Sequence, residues 1–239
     1  MRSLNADLFI VIAFRMMPEV VWGMPRRGTF NLHASLLPKY RGAAPINHAI
    51  MNGDSVTGVT TFFLTHEIDT GDIITRREIE IGEDENAGEL HDRLMHLGAE
   101  EVLATVDAII NGTLTRQPQP EGEFTPAPKI FKDTCRIDWN RPAKDIHNFI
   151  RGLAPYPAAW CQMIEVSGRP IDVKITATRC KEIPADLTLK PGEAIVEGKH
   201  LYAGTATEPL EILEIQPAGK KSMAASAFIL GYHPAEFKS

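Results

Sequence analysis

An amide, an imidazole and a carboxylate stand close together in the first half of the chain. Asn31 and His33 lie in Phe30-Asn31-Leu32-His33, and Asp69 follows in Ile68-Asp69-Thr70-Gly71-Asp72. Side chains two apart on a strand share a face, so Asn31 and His33 bring a hydrogen-bond donor and an acid/base to one cleft while Leu32 points into the apolar layer behind. Asp69 falls in a loop between two apolar runs, Thr60–Leu64 and Ile73–Ile81. A loop can aim a carboxylate where a strand interior cannot. Together the three groups are equipped to run an acyl transfer. On spacing alone an Asn-x-His pair on a strand is more often a satisfied structural pair, so its surroundings must decide.

Those surroundings read as α/β. Leu8–Ala13 is a continuous apolar run of strand length, as expected for a parallel strand covered on both faces. Pro18 suits the first turn of a short helix through Trp22, and a strand over Thr29–His33 follows Gly28. A helix runs from Pro45 to about Asn52 and stops at Gly53, and strands are predicted at Gly58–Leu64 and Ile73–Ile81. Leu90, Leu94, Leu97, Val102, Val106 and Ile109 trace a helical stripe over Ala87–Ile110, ended by Gly112. The proline-rich stretch between Thr113 and Pro128 reads as an extended linker. Beyond it come a helix around Pro142–Leu153 and short strands at Ala159–Val166, Ile171–Arg179, Gly192–Val196, His200–Tyr202 and Leu210–Gln216, the spacing of a small β-barrel. The expected organisation is a catalytic domain over 1–113, a linker over 114–128 and a second domain over 129–239.

The 239 residues are 44% hydrophobic and 23% charged, a globular composition. No run reaches the roughly 18 apolar residues of a membrane span, and the start lacks a secretion signal's apolar core, so the chain reads as cytoplasmic. Cys135, Cys161 and Cys180 are odd in number and widely separated, which gives neither a disulfide framework nor a zinc spacing. His91 and His96, five apart, face different sides of their helix and make no metal pair. Nucleotide-hydrolase and protease classes lack their phosphate loops and nucleophile patterns. The net charge of −6 is uneven, with 10 Lys/Arg against 18 Asp/Glu in residues 1–128 and 15 against 13 in residues 129–239. Trp139 and Trp160 are expected as core or interface anchors rather than base-stacking platforms.

Three stretches carry a family resemblance: Asn31-x-His33-x-Ser35-Leu36-Leu37-Pro38, Arg41-Gly42-Ala43-Ala44-Pro45-Ile46 and Ile68-Asp69-Thr70-Gly71-Asp72. They resemble the folate-dependent formyltransferases. Arg136-Ile137-Asp138-Trp139, Arg151–Trp160 and Leu213–Met223, the last with Gln216-Pro217-Ala218-Gly219-Lys220-Lys221, are similar to the C-terminal domain of the branch that acts on methionyl-tRNA. The resemblance implies a partial Rossmann-like, parallel-rich catalytic domain followed by an OB-like β-barrel that helps hold tRNA. It implies transfer of a formyl group from 10-formyltetrahydrofolate to the amino group of initiator methionyl-tRNA, with no metal, no membrane and a monomer when full length.

By the same resemblance Asn31, His33 and Asp69 are catalytic. Asn31 and protonated His33 donate to the carbonyl oxygen as it gains charge, and Asp69 pairs with the imidazolium. The turn Ser35, Leu36, Leu37, Pro38 contacts the folate. Lys39 and Arg41 face the tRNA acceptor end, the folate tail or plain solvent, and Lys220 and Lys221 sit where a phosphate contact is reasonable. Two rivals stay open: a sugar-nucleotide N-formyltransferase sharing the same three residues, and a non-catalytic RNA-binding fragment. The family's opening strand–helix units and a basic insertion have no counterpart before Leu8, so the sequence reads as an N-terminally shortened member. A parallel sheet without those units leaves an apolar face and an edge unpaired, which predicts self-association.

Overall fold

The computed structural model describes residues 2–13, 17–122 and 124–239. It divides into two units: Met1–Ala49, Ser55–Ile81 and Glu89–Lys129 form the first, and Ile50–Asp54, Gly82–Gly88 and Ile130–Ser239 the second. No helix among the described residues is long and apolar enough to cross a membrane.

The first unit is built on a four-stranded sheet in the order β1 (Phe9–Ile12), β2 (Thr29–His33), β4 (Val56–Phe63), β5 (Ile73–Glu80). Between them come α1 (Glu19–Trp22), the two-residue β3 (Arg41–Gly42) and α2 (Pro45–Met51). Pro18 flanks α1 in extended conformation instead of lying inside its first turn. The sheet is mixed: β1 runs parallel to β2, while β4 is antiparallel to both β2 and β5.

The long helix α3 (Ala87–Asn111) covers one face of this sheet. Phe30 is fully buried there with Phe63 and Ile109, against Val102 and Val106 of the helix. Three hydroxyls knit helix to sheet beside this apolar patch: Thr61 Oγ1 lies 2.7 Å from Thr75 Oγ1 and 2.9 Å from Thr105 Oγ1. Alternation along β2 sends Asn31 and His33 to the opposite face.

The expectation that Leu8–Ala13 is covered on both faces does not hold. Val11 is buried, but Ile10 and Ile12 are 44% and 56% exposed. They stand opposite Phe30 and Leu32 in the register and so belong to the α3 face, which the helix covers over β2 but not over β1. Among the described residues β1 is a sheet edge.

The residues read as a linker are extended and paired. Gln117 exchanges backbone hydrogen bonds of 2.8 and 2.9 Å with Ile73, and β6 (Pro126–Ala127) runs parallel to β3. This segment belongs to the first unit as far as Lys129.

The second unit is an antiparallel sheet in the order β13 (Pro234–Lys238), β7 (Ala159–Glu165), β8 (Pro170–Arg179), β11 (Leu210–Pro217), β10 (His200–Ala203), β9 (Ala194–Glu197), with β12 (Met223–Ala224) also on β11. Its two ends meet, because Phe237 N–H donates to Gly192 O beside β9, which curls the sheet into a barrel. Helix α4 (Ala143–Leu153) and the short α5 (Ala225–Phe228) contribute Ile146, Ile150, Leu153 and Phe228 to its core, where Trp139 stacks on Phe237 at 5.4 Å. Trp160 is half-buried, its indole N–H donating to Lys132 O at 2.8 Å. β13 and α5 escaped the sequence reading, being five and four residues long with no periodic signal.

Polar groups also hold this unit. The buried Arg151 donates to Asn148 Oδ1, Gly82 O and Glu85 O. The buried His147 meets Thr178 through Nδ1 at 3.0 Å, and its Nε2 lies 3.2 Å from Asp84, near enough for charge attraction but not aligned as a hydrogen bond. Burial, reinforced by the Arg151 and Lys144 cations, lowers the His147 pKa below its ordinary 6.5 despite Asp84 and a backbone contact with Glu83. The unfolded chain therefore takes up this proton at a pH where the folded chain does not, so this contribution is full above about 6.5 and is lost as pH falls below it. Chemical denaturation across pH 7.5 to 5 is expected to show an acid-side loss of stability that His147→Gln reduces.

Candidate active site

Asn31 and His33 reach the free face of β2 as the alternation requires, and the chain beyond the strand folds back over them. The His33 ring is 8% exposed and meets Phe62 edge-on, with centroids 6.4 Å apart. Its Nε2 lies 2.9 Å from the Tyr40 carbonyl oxygen. A carbonyl only accepts, so Nε2 carries a hydrogen and Nδ1 is left as the atom that can gain or give a proton. Nδ1 is 3.8 Å from Asp69 Oδ2, an ionic separation too long for a direct hydrogen bond.

Asp69 is 16% exposed, and its Oδ2 accepts the Gly42 backbone N–H at 2.9 Å. Two positions of one three-residue segment therefore fix both groups, Tyr40 through its carbonyl and Gly42 through its amide. Gly42 is required there. Its φ is +128°, and a Cβ would lie 2.4 Å from Ala127 O. The half-buried Asn31 amide makes no hydrogen bond with the described residues and keeps both its donors, which suits it to a carbonyl oxygen brought from outside.

The turn after β2 is tied down from within. Ser35 Oγ donates to Lys39 O at 2.6 Å, and the buried Thr60 hydroxyl donates to Ser35 O at 2.6 Å and accepts Leu37 N–H at 3.1 Å. Ser35 and Leu37 are fully buried and Pro38 is buried behind a cis Leu37–Pro38 bond, while Leu36 is half-buried. Arg76 donates to Leu37 O at 3.2 Å. Lys39 is exposed on the same turn.

The sequence reading missed two contributors. Thr60 carried a signal in its register, since it sits opposite His33 on the neighbouring strand. Gln119 carried none, lying in a stretch whose prolines read as tether. Its Nε2 donates to Asp69 O and Gly71 O at 2.8 and 2.9 Å, and its Oε1 accepts Arg41 Nε and Nη2 at 3.2 and 2.6 Å. Arg41, half-buried, also packs over the Phe124 ring at 5.3 Å.

No thiol joins the site. Cys135, Cys161 and Cys180 all lie in the second unit, where burial pushes their pKa values up, that of Cys180 to about 11. His91 lies against Asp92 on α3, and no group of three or more metal-ligating side chains occurs among the described residues. Lys220 and Lys221 are exposed on a turn of the second unit.

A family model described as formyl transferase matches residues 1–106, and one described as formyl transferase, C-terminal domain, matches residues 129–233. The methionyl-tRNA formyltransferase of Bacteroides fragilis is 51% identical over 99% of this chain and 74% of its own length. That of Porphyromonas gingivalis is 46% identical over 97% and 73%. The chain thus spans about three quarters of these curated relatives. Among solved structures, HypX from Aquifex aeolicus in complex with tetrahydrofolic acid superposes with a TM-score of 0.69 at 24% identity, covering 94% of this chain and 38% of its own. The N-formyltransferase from Helicobacter canadensis, in complex with folinic acid and dTDP-3-aminofucose, gives 0.61 at 22% identity over 77% and 64%. At such identities these two speak to the fold.

Replacing Thr60 by valine keeps the shape but strands Ser35 O and Leu37 N–H in the interior. Chemical denaturation is expected to show a loss of about 1–3 kcal/mol, the cost of unpaired buried polar groups, with Thr60→Ser close to wild type.

Proposed function

The chain belongs to the formyl transferase family, and from that premise we propose that it moves a formyl group from 10-formyltetrahydrofolate to the amino group of initiator methionyl-tRNA. What favours tRNA over a sugar amine is a set of relatives near half identity named for methionyl-tRNA, against sugar-directed neighbours at 19–28% identity. One observation carries the assignment of the reacting groups: Asn31, its amide unspent among the described residues, shares one face of β2 with His33, and the loop residue Asp69 brings its carboxylate to 3.8 Å from His33 Nδ1.

When bound, the folate supplies the formyl group on a nitrogen that must leave. Asn31 gives an N–H to the carbonyl oxygen and strengthens that bond as the oxygen gains charge, an interaction worth about 3–4 kcal/mol where a single such donor has been removed. His33 holds its ring by the Tyr40 carbonyl, so Nδ1 is the atom that donates to the oxygen or passes a proton to the departing nitrogen. Asp69, fixed by Gly42 N–H, pairs with the protonated ring and takes the proton shed by the attacking amine, directly or through water. No covalent step on the protein is needed.

Ser35, Leu36, Leu37 and Pro38 form the turn that would line the folate cleft. The Ser35 hydroxyl and Leu37 amide are already engaged inside the protein, so Leu36 has the most side-chain surface to offer. Lys39, exposed on this turn, and Arg41, just after it, are cations for a phosphate or a folate carboxylate. The second unit serves as an OB-like module for tRNA, in keeping with its more basic half of the sequence. The bacterial relatives named for this reaction support the cytoplasm as its compartment.

A formyl-transfer assay with methionyl-tRNA and 10-formyltetrahydrofolate tests the reading. His33→Ala and Asp69→Ala are each expected to abolish most turnover, and Asn31→Ala to cost about 100–1,000-fold in kcat, with tRNA affinity nearly unchanged. Matching losses in tRNA binding would contradict these roles. Transfer to an amino sugar but not to methionyl-tRNA would move the substrate to the sugar class.

A further inference from the structure

We infer that Gln119 is the positioning residue for Asp69, and that the proline-rich segment carrying it is a wall of the reaction site. The inference rests on the reading of Asn31, His33 and Asp69 as the reacting groups. A primary amide offers two donors and a two-lone-pair acceptor, and Gln119 uses all four positions, on Asp69 O, Gly71 O and twice on Arg41. Complete use of this kind fixes a side chain in one pose.

The geometry closes a ring around Asp69. Asp69 itself is left-handed at φ +56°, a conformation uncommon outside glycine. Gln119 Nε2 draws the carbonyls on either side of Thr70 to one nitrogen and so holds that bend shut. Through Oε1 the same amide grips Arg41, whose neighbour Gly42 binds the Asp69 carboxylate. Main chain and side chain of Asp69 are thus referred to one another by a single residue. The segment that presents Gln119 is itself pinned by Gln117 on Ile73, by Thr125 O accepting Tyr40 N–H at 2.7 Å, and by Ala127 O accepting Ala43 N–H at 2.7 Å. Without Gln119 the bend at Asp69 loses both donors, Oδ2 drifts from Gly42 N–H, and the 3.8 Å spacing to His33 Nδ1 is no longer set.

Two measurements test this, and neither requires the other to succeed. In hydrogen exchange on the full chain, Gln119→Ala should speed exchange at the Gly42 amide about tenfold or more while the barrel amides keep their rates. Unchanged exchange at Gly42 overturns the proposal whether or not the protein turns over. In formyl transfer, Gln119→Ala and Gln119→Glu should both lower kcat at least tenfold with KM for methionyl-tRNA within about threefold, because Glu retains the acceptor for Arg41 but not the donors. In an Asp69→Ala background the added loss should shrink to less than twofold. An equal factor in both backgrounds would mean that Gln119 does not act through Asp69. Undiminished turnover in His33→Ala and Asp69→Ala would instead strike the reading of the site, while the exchange result would still decide the placement of Asp69.

Discussion

The hydrogen-bonding groups that aim the candidate reacting side chains come from the backbone of Tyr40–Gly42. The Tyr40 carbonyl selects which nitrogen of His33 carries a hydrogen, and the Gly42 amide holds the Asp69 carboxylate. Backbone groups make good references because they cannot rotate away, but they are only as well placed as their chain. This piece of chain lies against Ala127 so closely that no side chain fits at position 42. Sheet, turn and returning strand must therefore all be in place before the imidazole and the carboxylate can face each other.

Much of this was legible in the sequence, and the reasons are local. Alternation along Phe30-Asn31-Leu32-His33 places two polar side chains on one face of a strand, and the structure has that strand at Thr29–His33. The stripe of Leu90, Leu94, Val102, Val106 and Ile109 marks a helix that does run from Ala87 to Asn111. Periodicity could not say which parts of the sheet the helix would reach. Ile10 and Ile12 look like interior residues by type, and it is the lateral position of α3 that leaves them exposed. Nor could composition show that Gln119 is engaged, since prolines shape an extended backbone without revealing what it lies against. β13 was hidden for a related reason: Phe237 is buried by closure of the barrel, a contact spanning the whole second unit, while its neighbours in sequence are polar.

The two units use buried polarity differently. In the barrel unit, the buried Arg151 is satisfied by Asn148 Oδ1, Gly82 O and Glu85 O, and so orders a connecting stretch of chain, Gly82–Gly88, against α4. In the first unit the Asn31 amide makes no hydrogen bond with the described residues, and His33 Nδ1 stops short of a hydrogen bond to Asp69. Satisfied polar networks rigidify. Groups left unsatisfied beside them are where chemistry on an outside molecule has room to occur.

The extended segment through Ala127 also changes where this protein can be regarded as modular. By composition the joint between its two halves starts just after Gly112, with some fifteen residues free to vary. By structure those residues are furnishings of the first half, and the seam falls after Lys129. Recombination that exchanged the second half at the compositional boundary would carry away the grip on Asp69 while leaving every residue of the Asn31, His33 and Asp69 set untouched.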